Sequence, residues 1–396
     1  MAQSSELSAA RRRSAPSMVE PVLTDIFPKV ANTAKAELEG NLQRGAPGAA
    51  LEHARELQAK RRQSVELVYS EPVPNNDLLD ALLQYARASD ASCAQQLLVH
   101  VSRGRWRSTP PVLALWSSPA FGEWRCSRES LSFKEEAALT LNMLACSHVA
   151  MADSILSSLN AQTSDSDESH PEVDPAPVRD SHKHFRRAAG IFEFLESYVK
   201  EELPSRGASS IDSPPPAERL PALARSMSKV CLAHADTLMA CLAEARRSSP
   251  QLTQAMFVSA AGLFDSAASI IKKNSGEFDS IVDLNLHNSL VLGKRRSMSR
   301  AYTHRATAYA QEAEGLGSAV ACIEEAVAHA ENCKDSAYER KSWTHQHVLT
   351  VRYLKRREAH MREQSTLLGS TSPDADSTQL PAPRAASRPI HFCLHE

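Results

Sequence analysis

Apolar residues recur every three or four positions through most of the chain, from Pro74 to Gln364. In the clearest run the steps are four, four, three, four, three and four residues, through Phe133, Ala137, Leu141, Leu144, His148, Met151 and Ile155. Steps of this size place all seven side chains on one face of an α-helix. No stretch of this region alternates with period two for long, so the pattern predicts an all-α fold.

The same spacing predicts further helices over residues 75–101, 181–203, 221–247, 277–313, 316–332 and 335–364. One more helix is predicted to begin at Pro250 with Ser249 as its N-cap. A serine hydroxyl accepts a hydrogen bond from a free amide of the first turn, and proline fits the first helical position. The connector at residues 105–128 contains three prolines and cannot be one helix.

Segments without this pattern divide the chain. Residues 1–20 are predicted to be a disordered leader, residues 21–365 one helical domain, and residues 366–396 a disordered tail. Two insertions, near residues 160–180 and 204–217, are acidic or rich in serine and proline. Such sequence cannot pack a core, so both insertions are predicted to be mobile loops.

Charge and composition exclude several classes of protein. The formal net charge is −2, so no overall field attracts the chain to nucleic acid, and no nucleic-acid partner is predicted. No run approaches 18 uninterrupted apolar residues, which argues against a membrane span. The eight cysteines form no C-x-x-C pair and are predicted to be free thiols in a reducing compartment, which fits a cytoplasmic protein.

Candidate catalytic and metal chemistry is sparse. No phosphate-binding loop, G-x-S-x-G, H-E-x-x-H or dinucleotide loop is found, so no catalytic residue and no cofactor is predicted, and the chain is interpreted as non-enzymatic. The pairs His182-x-His184 and His345-x-His347 point to different helix faces, so solvated histidines are predicted and no metal site. His148, on an apolar face, is interpreted as a core or interface histidine; direct pH sensing is the alternative.

Four segments resemble the Bro domain, the family of the domain at the front of Alix. They are Ser130–Ala150 (the signature helix), Phe185–Leu195 (FRRAAGIFEFL), Leu232–Asp236 (LAHAD) and Lys294–Ala330. Their order and spacing are similar to the family's across residues 75–335. The part before residue 75 does not match, which leaves the family's small N-terminal strands without support in the sequence.

The resemblance implies a curved, boomerang-shaped helical domain with a tetratricopeptide-like solenoid at its centre. It also implies a cytoplasmic adaptor, recruited to endosomal or plasma-membrane sites, that holds the C-terminal helix of an ESCRT-III subunit in a shallow apolar groove. Two short groups fit: the fungal PalC regulators of ambient alkaline pH signalling and the Brox group, which ends in a prenylated cysteine. The pairs Trp106-Arg107 and Trp124-Arg125 and the insertions favour PalC. A generic helical-repeat scaffold is the remaining alternative.

The groove is predicted near the helix that carries LAHAD. Its candidate residues are Leu220, Leu223, Met227 and Val230, spaced three, four and three, with Leu144 and Val149 added from the signature helix. The alternative is that this stripe is ordinary core. If it is the groove, Met227→Asp or Val230→Asp keeps the fold and loses the partner.

The last four residues, Cys393-Leu-His-Glu, lack the aliphatic residues and the final residue that prenylation requires. Prenylation is therefore not predicted, and Cys393→Ser is expected to leave membrane fractionation unchanged.

Overall fold

The computed structural model describes residues 29–30, 48–70, 74–91, 114–117, 128–130, 133–164, 175–203, 216–275, 280–312, 315–335, 341–368, 378–383 and 386–395. Within these ranges the chain forms nine α-helices, a short 3-10 helix and three short strands. The all-α prediction is confirmed. The predicted leader, residues 1–20, lies outside the described residues, as do residues 165–174 and 204–215 of the two insertions.

The helices follow one another along the chain, and from α3 onward each packs mainly on the next. Their bounds are α1 Gly48–Ser70, α2 Asn76–Asp90, α3 Phe133–Ser164, α4 Pro175–Glu202, α5 Pro216–Ala245, α6 Pro250–Lys273, α7 Ser280–Tyr309, α8 Leu316–Glu331 and α9 Lys341–Leu367. The 3-10 helix Asn332–Asp335 follows α8. This stacking of neighbours is typical of a helical solenoid.

Two helix starts show how local sequence sets the boundaries. Ser249 caps α6 as predicted, because its side chain accepts a hydrogen bond from the Leu252 amide and Pro250 is the first helical residue. Asn75 caps α2 in the same way, with Oδ1 2.9 Å from the Leu78 nitrogen. Helix α5 begins at Pro216, five residues before the predicted start.

Helix α1 was not predicted. Its inward positions are Ala54, Leu57, Arg61 and Ser64, all buried and spaced three, four and three. Arg61 is one of them because its Nε lies 3.2 Å from Oε1 of Glu136, a buried carboxylate on α3. A charged residue on the inner stripe hides the helix from a search for apolar periodicity.

A small antiparallel sheet has the strand order β1-β2-β3, with β1 at Lys29–Val30, β2 at Ala114–Ser117 and β3 at Arg128–Ser130. Lys29 is in register with Ser117, and Trp116 with Arg128. The N-terminal strand, which the sequence did not support, is therefore present.

Among the described residues, two helices are long and apolar enough to cross a membrane: α3 over Phe133–Ser158, and α6. The protein buries 67% and 56% of their most apolar windows. Both helices contribute to the main core, which links α2 to α7. Their apolar character is accounted for by packing inside the domain.

Residues 378–383 and 386–395 form an extended segment, here named the C-terminal strap. It meets α6 at Gly262, α5 at Asp236, α4 at Arg186 and α2 at Arg87, in that order. The structure therefore corrects the predicted disordered tail for these residues. A loop-like composition concealed the strap because many of its hydrogen bonds are made by its backbone, which any sequence provides.

Candidate partner-binding surface

The predicted groove residues lie in the core. Leu223, Met227 and Val230 on α5 are each 1% exposed, and Leu144 and Val149 on α3 are 2% and 3% exposed. All five belong to one buried cluster. Leu220 lies in α5, but its side chain is outside the described residues. These five side chains cannot form an open groove in this conformation, which corrects that interpretation.

The cause lies in the packing of α5, which has α4 on one side and α6 on the other. Ser226 on α5 donates from its hydroxyl to the Ala267 carbonyl of α6, at 3.2 Å. Arg225, on the opposite face of α5 from Leu223 and Met227, is exposed. Arg225 donates from Nε to Oε1 of Glu196 on α4, at 2.7 Å. A three-four-three spacing occurs on both a core face and a groove face, so it cannot separate them.

Apolar side chains do reach the surface on the second half of α3. Ala150, Met151 and Ile155, here named the α3 apolar surface, are half-buried. On the neighbouring α4, Lys183 and Arg187 are exposed. The sequence placed Met151 and Ile155 on one face with Phe133 and Leu141; the latter two are buried, whereas Met151 and Ile155 are half-buried.

His148 of α3 faces His184 of α4, with 2.9 Å between the two Nδ1 atoms. Burial, together with the charges of the nearby His184 and Arg187, lowers the pKa of His148 to about 3. Burial also lowers the pKa of His184. The prediction of an interface histidine with a bonded ring nitrogen is confirmed. A neutral His148 does not sense pH near neutrality.

The other candidate ligands form no metal centre. His182 is not simply solvated, since its Nε2 lies 3.2 Å from the Ser387 hydroxyl of the strap. The side chains of His345 and His347 lie outside the described residues. In the described part of the chain no group of three or more His, Cys, Asp or Glu residues could hold a metal ion. The six described cysteines are not in disulfides, and burial raises the pKa of the Cys231 thiol.

The LAHAD segment carries two buried polar residues whose roles the sequence did not indicate. His234 stacks on Phe185, with ring centroids 5.4 Å apart, and meets the edge of Phe264 at 5.3 Å. Burial lowers the pKa of His234 to about 4, so this ring is a neutral part of the core. Asp236, two residues further, is fully buried and holds the strap.

Asp236 binds the strap through its carboxylate. Oδ1 accepts a hydrogen bond from the Ser387 amide at 2.6 Å, and Oδ2 accepts one from the Ala386 amide at 3.2 Å. The Ser259 hydroxyl of α6 also donates to Oδ2. Three donors of this kind stabilise a buried carboxylate that would otherwise be costly.

Two glycines allow the strap to approach the helices. A Cβ atom at Gly190 of α4 would overlap the carbonyl oxygen of Ile390, and one at Gly262 of α6 would lie 2.6 Å from Cβ of Pro383. Gly190 is the glycine of the FRRAAGIFEFL segment. The Ile390 amide donates to the Arg186 carbonyl at 3.0 Å one turn before it. A glycine inside a helix costs stability, and here it permits close backbone contact.

The end of the strap is anchored at the junction of α2 and α4. Leu394 is 1% exposed in the main core, and its carbonyl accepts a hydrogen bond from Nε of Arg87. Phe392 meets the edge of Phe194, with centroids 5.3 Å apart. His395 Nε2 lies 2.8 Å from Oδ2 of Asp90. Apolar burial at Leu394 thus complements the polar contacts at Asp236.

The structure is similar to solved Bro1 domains. ALIX BRO1 in complex with CHMP4C matches with a TM-score of 0.63 and 15% identity, over 93% of this chain and 94% of that one. ALIX in complex with the SIVmac239 PYKEVTEDL late domain matches at 0.63 and 14%, over 93% of this chain and 48% of that longer one. A structure solved as the basis for endosomal targeting by the Bro1 domain matches at 0.58 and 12%, over 92% and 91%.

No protein-family model and no curated protein matches the sequence. At identities of 12% to 15% the structural likeness establishes the fold alone. The structure and the likeness agree on one conclusion: this chain has the fold of a Bro1 domain.

Proposed function

We propose that this protein is an adaptor that binds the C-terminal helix of an ESCRT-III subunit. The observation that carries the proposal is the likeness, over 93% of this chain and 94% of the other, to ALIX BRO1 in its complex with CHMP4C. The four segments that resemble the Bro domain, in family order, support it from the sequence. Binding, rather than catalysis, is the proposed activity.

The α3 apolar surface is the proposed docking site. A partner helix is held by apolar anchors spaced along one face, which need exposed apolar side chains to contact. Ala150, Met151 and Ile155 are half-buried and so keep part of their apolar surface accessible to a partner, whereas the stripe on α5 is fully packed. Exposed Lys183 and Arg187 on α4 favour a partner helix that carries acidic residues.

The proposed place of action is the cytoplasmic side of endosomal or plasma membranes, reached through the ESCRT-III partner. One structural relative was solved as a basis for endosomal targeting, which supports this assignment. Within this frame, PalC-like action in fungal alkaline-pH signalling is the finer proposal, with Brox-like endosomal action as its alternative. The growth of a deletion strain at alkaline pH separates the two. A neutral His148 favours a role in transmitting the pH signal over a role in sensing it.

Calorimetric titration with a peptide of an ESCRT-III C-terminal helix tests the proposal. Met151→Asp and Ile155→Asp are expected to weaken binding by about 2 kcal/mol or more and to leave the melting temperature close to that of the unmodified protein. Leu252→Asp on α6 is the matched control, because Leu252 is an exposed leucine on a different helix. It should bind normally.

Core variants make the test sharper. Met227→Asp buries an unpaired charge and should unfold the protein, in contrast to Met151→Asp. If the unmodified protein does not bind any ESCRT-III helix, a generic helical-repeat scaffold becomes the better description. Binding that survives both α3 variants would instead reject the docking site and retain the function.

A further inference from the structure

Ser387 lies in a buried part of the strap, next to the carboxylate of Asp236. Its side chain is 5% exposed, its hydroxyl lies 3.2 Å from His182 Nε2, and its amide lies 2.6 Å from Oδ1 of Asp236. Asp236 itself is fully buried and accepts hydrogen bonds from two strap amides and from Ser259. Ser387 therefore combines two features: its backbone amide binds the strap to Asp236 of α5, and its hydroxyl is a group that a kinase can phosphorylate.

A phosphate group on Ser387 would oppose this fastening. It carries a charge of roughly −1.5 to −2 near neutral pH, and here it would sit beside a buried carboxylate. Because Ser387 is buried, a phosphate in this position would be largely withdrawn from water, which is costly for a charged group. Arg186 is a cation close to the site, but its Nε already donates to the Arg388 carbonyl at 2.6 Å.

We propose that Ser387 is a phosphorylation site and that its modification releases the C-terminal strap from the helices. A protein kinase transfers the γ-phosphoryl group of ATP to the Ser387 oxygen. The new O–P bond replaces the bond between the γ-phosphorus and the bridging oxygen, ADP leaves, and the hydroxyl proton passes to the kinase's base. The repulsion from Asp236 then opens the strap.

The neighbouring sequence indicates which kinases fit. Arg384 precedes Ser387 by three residues and Arg388 follows it directly, so a kinase with an acidic substrate cleft is the expected class. Access requires the strap to open locally. Ala386 and Arg388 on either side of Ser387 are exposed, and the strap is a single extended segment, so it belongs to the less stable part of the fold.

Hydrogen exchange of the strap amides tests the mechanism. Ser387→Glu and Ser387→Gln have nearly the same size and differ in charge. Ser387→Glu is expected to speed exchange over residues 386–395 at least about tenfold relative to Ser387→Gln, because only the charge opposes Asp236. In an Asp236→Asn background this difference should shrink to less than about threefold. Ser269→Glu, at an exposed serine on α6, is the control and should change nothing.

Treatment of the intact protein with ATP and a kinase that prefers basic residues next to its target serine tests whether Ser387 can be phosphorylated. Phosphopeptide mapping is expected to place phosphate on Ser387, less so after Arg384→Ala, and the modified protein should exchange like Ser387→Glu. The same treatment is applied to the Asp236→Asn variant, in which the strap is expected to be more open. If Ser387 is not phosphorylated in this variant either, poor access of the kinase cannot be the reason. No phosphate on Ser387 in either protein overturns the proposal. Slower exchange after modification, as a phosphate paired with Arg186 would give, overturns it as well.

Discussion

Two buried carboxylates attach the first helix and the C-terminal strap to the rest of the helices, and they do so by different chemistry. Glu136 of α3 binds side chains: Nε of Arg61 from α1 lies 3.2 Å from its Oε1, and the Tyr85 hydroxyl of α2 lies 2.6 Å from the same atom. Asp236 of α5 binds the amides of Ala386 and Ser387 in the strap. The first site pairs opposite charges, and the second compensates one charge with neutral donors.

The difference determines how each end responds to change. Removing one member of a buried ion pair leaves an uncompensated charge, so α1 is attached by an interaction that is costly to break. Backbone donors can return to water when the strap lifts away, so the strap can open without leaving a second charge buried. The N-terminal helix is therefore expected to unfold with the domain, and the strap to open before it.

The largest expected effect comes from breaking the ion pair. Glu136→Ala leaves Arg61 buried without its carboxylate, so the free energy of unfolding should fall by about 3–5 kcal/mol. Urea denaturation measures this change. The double variant Glu136→Ala with Arg61→Leu should recover part of the loss, because it removes the uncompensated charge. A loss below about 1 kcal/mol in the single variant would show that the pair does not hold α1.

The next prediction concerns two buried histidines, His148 and His234, which the fold keeps neutral. Neither is part of the Glu136 site or the Asp236 site. The pKa of His148 is about 3 and that of His234 about 4, against an ordinary value of 6.5. The unfolded chain therefore binds protons more readily below pH 6.5, and stability falls as the pH falls from 6.5 towards these values. Above about pH 7.5 neither state binds these protons, so the two histidines contribute almost no pH dependence there.

The expected size at pH 5 is about 2 kcal/mol for each histidine relative to pH 7.5. Denaturant titrations at the two pH values measure it. His148→Phe should remove about half of the combined loss between pH 6.5 and pH 5. The assignment of a neutral buried ring fails if this variant keeps the full pH dependence of the unmodified protein.

A smaller effect is expected at the strap carboxylate. Asp236→Asn removes one acceptor from the pair of strap amides, which should weaken strap docking by roughly 1–3 kcal/mol and leave the helices folded. Limited proteolysis after residue 380 measures strap opening, and circular dichroism measures helix content. If helix content and strap protection are lost together, the strap is not a separate unit and the comparison with α1 fails.

The smallest change in overall stability is expected for Gly190→Ala. The new methyl group displaces Ile390, while alanine favours the helix by about 0.5–1 kcal/mol, so the two effects partly cancel in the free energy of unfolding. Proteolysis of the strap should nevertheless increase. Gly48→Ala is the matched control, because a Cβ atom there meets nothing within 4 Å. Equal strap cleavage in both variants would mean that close approach at Gly190 is unimportant.

The sequence predicted those parts of the fold that depend on regular burial of apolar side chains. Helix α3 and the Ser249–Pro250 start of α6 follow from local patterns, and both are present. Helix α1 was missed because Arg61 interrupts its inner stripe. The strap was missed because backbone amides hold it, although glycine at position 190 inside a strong helix was an available signal of close approach.

The candidate site was harder to predict for a related reason. A stripe such as Leu223, Met227 and Val230 has the same spacing whether it faces a neighbouring helix or a partner protein. Only the positions of α4 and α6 on either side of α5 decide between the two, and these depend on the whole fold. The surface on α3 becomes visible only in the structure, where most side chains before Ala150 are buried, whereas Met151 and Ile155 are half-buried.

The exchange rate of the Ser387 amide in the unmodified protein tests the account most directly, because this amide is bound to the buried carboxylate of Asp236. The account predicts exchange at least about tenfold slower than in a free peptide of residues 378–396, and faster than that of the core amide of Val230. An Asp236→Asn variant should move the Ser387 amide towards the free-peptide rate and leave Val230 unchanged. Exchange at the free-peptide rate in the unmodified protein would contradict a docked strap.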